Sequence, residues 1–269
     1  MRPRSAMQSF AQAPQQRLAR VLGVMTDIDD TLTRDGAIDP LALAALHELA
    51  AAGLPVVAIT GRPLGWSEPF ARDWPLRAIV AENGAVALLR EGGQVLTEYV
   101  QDADTRERNR ARLREVAQWV LQQVPGATLA RDSAGRVTDI AVDHSEFEQM
   151  SPERIAQVVD LMRSEGMNAT VSSIHINGWF GEHTKWSAAQ WMLQRLFGRA
   201  IDDEIGRWLY VGDSTNDQLM FQHFPLSVGV ANLMHFADQL TAWPAFITQG
   251  ERGIGFAEVA HALLAARRG

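Results

Sequence analysis

Two acidic segments of the chain carry residue types that could hold a cation next to an anionic group. The first reads Asp27-Ile28-Asp29-Asp30-Thr31, and the second reads Gly212-Asp213-Ser214-Thr215-Asn216-Asp217. Alternate side chains of an extended segment point to the same side, so Asp27 and Asp29 should lie together with Thr31 close behind them. Neighbouring carboxylates repel each other, and the arrangement therefore calls for a cation or a shared proton.

Two further segments offer groups that bind anions. Thr60-Gly61-Arg62 supplies a hydroxyl and a backbone N–H that an anion can approach closely. Lys185 lies at the start of a predicted helix, where its charge and the helix dipole both favour an anion. It is the only lysine among 25 basic residues. Lysine is a compact point charge and arginine a broad planar fork, so this position indicates a role that arginine cannot fill.

Together these groups match what phosphoryl transfer to a carboxylate nucleophile requires. Mg²⁺ prefers oxygen ligands and uses one or two carboxylates plus phosphate and water, which makes Asp27 and Asp213 its natural ligands. A second aspartate can protonate the leaving oxygen and then activate water. Hydroxyls, the Gly61 N–H and a lysine can neutralise charge on the phosphoryl oxygens.

The elements predicted around these segments place them at one edge of a sheet. Apolar runs predict buried strands at 21–28, 55–60, 77–81, 208–212, 226–230 and 245–248, with helices at 39–52, 185–197 and 254–266. Alternating strands and helices are typical of a doubly wound, Rossmann-like parallel sheet in an α/β fold. Ligands bind such sheets beyond the carboxyl ends of the strands.

The region between 85 and 183 has a different, antiparallel α+β pattern. It contains a predicted hairpin at 86–100, helices at 103–124 and 152–165, and alternating strands at 136–142 and 169–176. We therefore expect a flexible tail at 1–16, a catalytic core at 17–84 and 184–269, and an inserted α+β cap domain at 85–183.

Composition excludes several classes of function. Of the 269 residues, 46% are hydrophobic and 21% charged, as in globular proteins. The net charge of -7 argues against general affinity for nucleic acid or anionic membranes, although a local site can still bind a phosphorylated metabolite. The lack of cysteine excludes disulfides, thiolate catalysis and zinc–cysteine sites and fits a cytoplasmic protein. No apolar run predicts a membrane span, and residues 1–16 lack the apolar region of a signal peptide.

In this order and on these elements, the DIDDT, TGR, lysine and GDSTND segments resemble the four motifs of the haloacid dehalogenase (HAD) superfamily. The insertion, together with Glu82-Asn83-Gly84-Ala85, resembles the branch of Cof-type, sucrose-phosphate and mannosyl-3-phosphoglycerate phosphatases. The motifs cover about 21–84 and 184–250, whereas the cap is matched only by its position and pattern of elements. The resemblance implies a HAD core with a parallel sheet and an inserted cap.

The resemblance also implies roles for the acidic residues and the lysine. Asp27 would be the nucleophile and a Mg²⁺ ligand. Asp29 would be the general acid and base and would offer its main-chain carbonyl to the metal. Asp213 would bind Mg²⁺ and Asp217 would complete the surroundings of the metal, while Lys185 would screen the nucleophile from the phosphoryl group.

The remaining implied roles concern binding. Thr31 and Thr60 would hold the phosphoryl group, and Asn216 would order the phosphate or the metal's surroundings. Asp30 and Thr184 depart from the family pattern, because many relatives have glycine at both places. Neither change removes a group that the chemistry needs.

A few residues near the predicted site could contact the organic part of a substrate. His175 and Asn177 lie where the insertion returns to the core, and hydrogen-bonding groups there would suit a sugar. Arg62 either caps a helix or reaches the substrate.

The expected function is Mg²⁺-dependent hydrolysis of a phosphomonoester, with a sugar or polyol phosphate as substrate and an aspartyl-phosphate intermediate. A phosphomutase of the same superfamily uses the same intermediate and stays an alternative, as does a non-catalytic protein that binds a phosphorylated ligand. A dehalogenase is disfavoured, because it needs neither Mg²⁺ nor the Asp29 acid. A receiver domain, which is also phosphorylated on an aspartate, is disfavoured because such domains are far shorter than this chain.

Overall fold

The structure, a computed structural model, describes residues 2–268. The strands in these residues are β1 Gln8–Ser9, β2 Gly23–Thr26, β3 Thr33–Arg34, β4 Ala37–Ile38, β5 Val56–Ile59, β6 Ala78–Ala81, β7 Val86–Glu91, β8 Gln94–Tyr99, β9 Thr128–Leu129, β10 Asp139–Asp143, β11 Asn168–Val171, β12 His175–Trp179, β13 Trp208–Gly212, β14 Leu226–Gly229 and β15 Phe246–Ile247. The helices are α1 Gln15–Leu18, α2 Pro40–Ala51, α3 Leu64–Asp73, α4 Ala103–Gln123, α5 Pro152–Ser164, α6 Lys185–Phe197, α7 Ile201–Glu204, α8 Gln218–His223 and α9 Arg252–Ala266.

The main sheet has nine strands in the order β1-β15-β14-β13-β2-β5-β6-β7-β8. Seven of these strands pair in parallel: β1, β2, β5, β6, β13, β14 and β15. The central strands are continuous apolar runs because helices cover both faces of the sheet. Helices α2, α3 and α9 pack on one face, and α6 and α8 pack on the other. The predicted doubly wound α/β fold is confirmed.

The predicted hairpin at 86–100 is present but belongs to the main sheet. Strand β7 pairs antiparallel with β6 over four residue pairs, and β8 pairs with β7. The sharp turn at Asn83-Gly84, where both residues have positive φ, folds β7 back beside β6. Our boundary at residue 85 was therefore wrong for the hairpin, because an antiparallel pattern in the sequence does not say which sheet the strands join.

A second, antiparallel sheet has the strand order β11-β12-β10-β9. Helices α4 and α5 pack on it around a separate apolar cluster that includes Val120, Met162 and Ile176. We predicted a single strand at 169–176. The chain instead turns between β11 and β12, where the Ser172 hydroxyl accepts from the N–H of His175 at 3.0 Å.

The N-terminal segment packs on the molecule and is not the frayed tail that we predicted. Strand β1 pairs with β15 at the edge of the main sheet, and the buried Phe10 ring meets Phe246 edge-to-face at 6.1 Å. Such isolated contacts carry no periodic pattern, which is why the sequence did not reveal them. Within residues 2–268, no helix combines the length and apolar character needed to cross a membrane.

Candidate active site

The predicted site segments follow three neighbouring strands. Strand β2 pairs in parallel with β13 on one side and β5 on the other. Asp27 follows β2, Thr60 follows β5, and Asp213 follows β13. Because parallel neighbours end at the same edge of the sheet, the loops that carry these residues meet there.

Lys185 joins two of these loops. Its Nζ lies 3.0 Å from Asp27 Oδ1 and 2.8 Å from Asp217 Oδ1, and the side chain is 3% exposed. Thr184 caps the helix that Lys185 begins, since its hydroxyl accepts from the N–H of Ser187 at the start of α6. Burial disfavours the ammonium form, but the charges of Asp217 and Asp27 outweigh it and raise the pKa of Lys185.

Asp217 is surrounded by hydrogen-bond donors. Besides Lys185, Oδ1 accepts from the Tyr210 hydroxyl, and Oδ2 accepts from the N–H groups of Asp213 and Ser214. Gly212 is needed here because a Cβ at this position would collide with the Asp217 carboxylate. Asp217 therefore holds both the lysine and the Asp213 loop in place, and its oxygens are already engaged by these donors.

Asp213 has a carboxylate oxygen without a partner. Its Oδ2 accepts from Asn232 at 3.3 Å, whereas Oδ1 is buried and has no hydrogen-bond donor within residues 2–268. Burial, together with the charges of Asp217 and Asp27, raises the pKa of Asp213 well above its usual range. Burial raises the pKa of Asp27 to about 7, helped by Asp217 and Asp29 and opposed by Lys185.

These observations test whether the cluster fits a divalent cation. Carboxylate oxygens of Asp27, Asp213 and Asp217 lie within 4.8 Å of one another. Three buried carboxylates face one ammonium group, so ionisation of all three leaves an excess of two negative charges. A divalent cation would balance that excess, and the unpartnered Asp213 Oδ1 offers a ligand atom. The residues fit Mg²⁺, which prefers such oxygen donors.

Asp29 is held by Arg62 and not by Lys185. The Arg62 Nε lies 2.9 Å from Asp29 Oδ1 and 3.0 Å from Oδ2. Burial raises the pKa of Asp29, and the guanidinium charge opposes that shift. The other two guanidinium nitrogens contact Asp132 at 3.1 Å and Glu146 at 2.8 Å. No side-chain hydrogen bond caps the start of α3, so Arg62 is not a helix cap. Arg62 does line the cavity described below, and its predicted substrate contact stays a prediction.

The expected phosphoryl-binding residues lie on the loops that follow β2, β5 and β13. The Thr31 hydroxyl is buried and has no partner within residues 2–268. The Thr60 hydroxyl accepts from the N–H of Arg62 at 3.0 Å, which leaves its proton for an anion. Asn216 lies in the loop after β13, where its Oδ1 accepts from the Ser214 hydroxyl at 3.0 Å.

His175 and Asn177 are both buried on β12 of the second sheet. Nε2 of His175 contacts Glu146 at 2.9 Å, which places the ring behind that carboxylate. Asn177 donates to the carbonyl of Gly61 at 3.4 Å and so faces the loop after β5. The predicted substrate contacts of both residues stay predictions.

Sequence reasoning missed several partners in the site. Asn232 follows β14 and donates to the carbonyl of Asp30 as well as to Asp213. Its place at the end of another parallel strand is a signal that could have revealed it. Arg252 contacts Asp30 at 2.7 Å, and Asp30 has a φ of 53°, the left-handed region that explains a preference for glycine there.

A cavity of about 490 Å³ opens beside these residues. The main-sheet loops contribute Asp29, Asp213 and Asn232, and the second sheet's loops contribute Ser145, Glu146 and Ser173. Loops of both sheets thus bound the cavity, and Asp213 is the member of the carboxylate cluster that lines it.

Comparisons with known proteins agree with this architecture. Residues 24–122 match the family of haloacid dehalogenase-like hydrolases. No curated protein sequence matches the chain significantly.

Solved structures match over most of the chain. A Thermoplasma acidophilum protein has a TM-score of 0.69 at 16% identity and covers 91% of this chain and 98% of its own. The sucrose-phosphatase from Synechocystis, solved with sucrose and phosphate, has a TM-score of 0.64 at 20% identity and covers 90% of this chain and 97% of its own. The C-terminal domain of trehalose-6-phosphate phosphatase from Candida albicans has a TM-score of 0.65 at 12% identity, with coverages of 97% and 99%. The family match over residues 24–122 and the shared fold agree with the resemblance seen in the motifs.

Proposed function

We propose that the protein is a Mg²⁺-dependent phosphatase that hydrolyses a phosphomonoester through an aspartyl-phosphate on Asp27. The observation that carries the proposal is the buried contact of Lys185 with Asp27 and Asp217, beside the unpartnered oxygen of Asp213. A nucleophilic carboxylate, a fixed cation and an open ligand position are the parts that this chemistry requires.

In the first step a carboxylate oxygen of Asp27 attacks phosphorus. The bond to phosphorus forms as the ester P–O bond breaks, and Asp29 gives its proton to the leaving oxygen. In the second step Asp29 takes a proton from water, which attacks phosphorus, releases phosphate and restores Asp27. Lys185 screens the nucleophile from the negative phosphoryl oxygens, and the hydroxyls of Thr31 and Thr60 bind these oxygens.

Asp27 and Asp213 would hold the Mg²⁺, with Asp217 supporting the loop behind them. The bound ion would supply positive charge to the phosphoryl oxygens in a site that Lys185 alone leaves negative.

The organic part of the substrate would lie in the cavity between the two sheets. Its volume of about 490 Å³ falls within the usual range for small-molecule sites. The cavity is lined by acids and by Arg62 and Arg252 as well as by hydroxyl and imidazole groups, and these groups can form hydrogen bonds with a partner rich in hydroxyl groups. The two matched phosphatases named above are described as acting on sugar phosphates, which supports a sugar or polyol phosphate here.

We also propose that residues 103–183 act as a cap over this cavity. The unit has its own sheet and apolar cluster and supplies one wall of the cavity. By covering the substrate, it would exclude bulk water from the reaction.

The test is phosphate release from a panel of sugar phosphates, polyol phosphates and nucleotides, with Mg²⁺ or with a chelator. We expect release from a sugar or polyol phosphate that needs Mg²⁺ and disappears in Asp27→Asn, with circular dichroism showing an intact fold. Asp203→Asn serves as a control, because Asp203 is an exposed aspartate on α7 that does not line this cavity. Release by Asp27→Asn at the wild-type rate would show that Asp27 is not the nucleophile.

A further inference from the structure

Arg62 makes an unusual set of contacts for a residue beside a proposed acid and base. All three nitrogens of its guanidinium group face carboxylates from different parts of the chain: Nε faces Asp29, Nη1 faces Asp132 and Nη2 faces Glu146. The side chain is 5% exposed, and its guanidinium carbon lies 4.9 Å from the centre of the Trp66 ring. The group is therefore fixed on its edges and on one face.

The three carboxylates belong to two separate units of the molecule. Asp29 follows β2 of the main sheet, and Arg62 itself follows β5. Asp132 follows β9 and Glu146 follows β10, both strands of the second sheet. Arg62 is thus the link through which the second sheet's loops contact Asp29.

Asp29 depends on this link for its orientation. The described side-chain contacts of its carboxylate are the two hydrogen bonds from Nε of Arg62. A guanidinium group is planar and rigid, so the directions in which its two Nη groups are held decide where Nε points. Without Asp132 and Glu146, the group could rotate about its stem and meet Asp29 with a different nitrogen.

We propose that Arg62 is a positioning residue through which Glu146 and Asp132 of the cap orient Asp29 for proton transfer. The inference rests on the proposed phosphatase function. It gives the cap a part in the chemistry besides covering the substrate, because Asp29 would be aligned only when the cap carboxylates hold Arg62.

The leaving group provides a test that a merely structural role would not affect. Aryl phosphates of similar size but different phenol acidity need different amounts of help from a general acid, and poor leaving groups need the most. The ratio kcat/KM reports the steps up to departure of the phenol. Loss of acid alignment should therefore slow phenyl phosphate far more than p-nitrophenyl phosphate.

The variants are Glu146→Ala and, as a matched control, Glu148→Ala, since Glu148 is an exposed glutamate two residues away. In Glu146→Ala we expect kcat/KM to fall about tenfold more for phenyl phosphate than for p-nitrophenyl phosphate. This difference is smaller than the full effect of removing a general acid, because Asp29 itself is still present. Glu148→Ala should keep the wild-type ratio. Arg62→Lys retains a charge beside Asp29 but cannot span three carboxylates, and it should change the ratio in the same direction.

Equal losses for both esters in Glu146→Ala and Arg62→Lys would overturn the role of Arg62, while Mg²⁺- and Asp27-dependent hydrolysis by the wild type would leave the proposed function standing. If the wild type hydrolysed no ester in the panel, both proposals would be wrong.

Discussion

At the scale of single residues, the chemistry of the site depends on where negative charge is left unbalanced. Lys185 contacts Asp27 and Asp217, and Arg62 contacts Asp29. Asp213 has no cation of its own among the described contacts, and one of its oxygens is buried without a donor. A cation that balances the negative charge of this cluster should therefore bind at Asp213.

Replacing Asp213 by asparagine should weaken Mg²⁺ binding. The amide keeps the size of the side chain but lacks the charge, and we expect the dissociation constant for Mg²⁺ to rise at least about tenfold. Titration calorimetry on the protein without substrate measures this directly, with Asp203→Asn as the control. Unchanged Mg²⁺ affinity in Asp213→Asn would remove this residue from the metal site.

Replacing Lys185 by arginine tests why one lysine is retained among so many arginines. The Lys185 side chain is 3% exposed, and its ammonium group lies between the carboxylates of Asp27 and Asp217. A planar guanidinium group is wider than an ammonium group and would not fit between them. We expect kcat to fall by at least about a hundredfold, because the fork would push Asp27 away from its place. Arg195→Lys, at a half-exposed position of the same helix, is the control, and steady-state kinetics provide the comparison. Near-normal kcat in Lys185→Arg would show that charge alone suffices.

The residues of the carboxylate–lysine cluster could be predicted from the sequence because each lies at the end of a recognisable strand or the start of a recognisable helix. Asp27, Lys185 and Asp213 meet as expected for that reason. The partners of Arg62 could not be predicted, because Asp132 and Glu146 lie in loops of the second sheet. Contacts between two folding units depend on how the units pack, and no local pattern reports that.

At the scale of elements, a buried glutamate joins the two units. Glu82 follows β6 and has no exposed surface. Its carboxylate accepts from the N–H groups of Val137 and Thr138 just before β10 and from that of Leu64 at the start of α3. These N–H groups use both oxygens of the Glu82 side chain as acceptors, and the bonds fix the second sheet's loop against the core.

Glu82→Gln should destabilise this junction. The amide turns an NH₂ group toward backbone donors, so at least one buried hydrogen bond is lost and a donor is left unsatisfied. We expect the free energy of unfolding to fall by about 2–3 kcal/mol, measured by urea denaturation. Glu107→Gln changes an exposed glutamate of α4 in the same way and should change stability by less than about 0.5 kcal/mol. Equal stability of the two variants would mean that Glu82 does not hold the junction.

Helix α6 was predicted correctly and the hairpin β7–β8 was assigned to the wrong unit, and both outcomes have the same physical cause. Helix α6 begins and ends where the sequence predicted, because Thr184 caps its start and Gly198 ends it with a φ of 64°. The hairpin β7–β8 was recognised but assigned to the wrong unit, because its pairing with β6 is a long-range choice. Local signals thus predicted the elements, whereas the sheet that a strand joins depends on packing.

At the scale of the whole molecule, the acidic cluster should make stability depend on pH and on Mg²⁺ together. The usual pKa of an aspartate is 3.8, and burial raises the pKa of Asp27 to about 7. Between these values the folded protein binds more protons than the unfolded chain, so the folded state loses stability as pH rises through that window. Asp213, with its pKa raised well above the usual range, adds a contribution of the same sign.

Urea denaturation with a chelator, from about pH 5 to about pH 8, should therefore show stability falling with pH. Added Mg²⁺ binds the ionised carboxylates of the folded state, so its stabilising effect should grow over the same range. Burial also raises the pKa of Asp139 to about 7, so Asp139 likewise makes stability fall as pH rises over this range. Mg²⁺ bound at the Asp213 cluster should leave that contribution unchanged. The comparison with Asp27→Asn isolates the cluster, because that variant should have a shallower slope and a smaller response to Mg²⁺. If Mg²⁺ stabilised the wild type equally at both ends of the range, its binding would not depend on these buried carboxylates, and the charge balance on which the proposed site is built would be wrong.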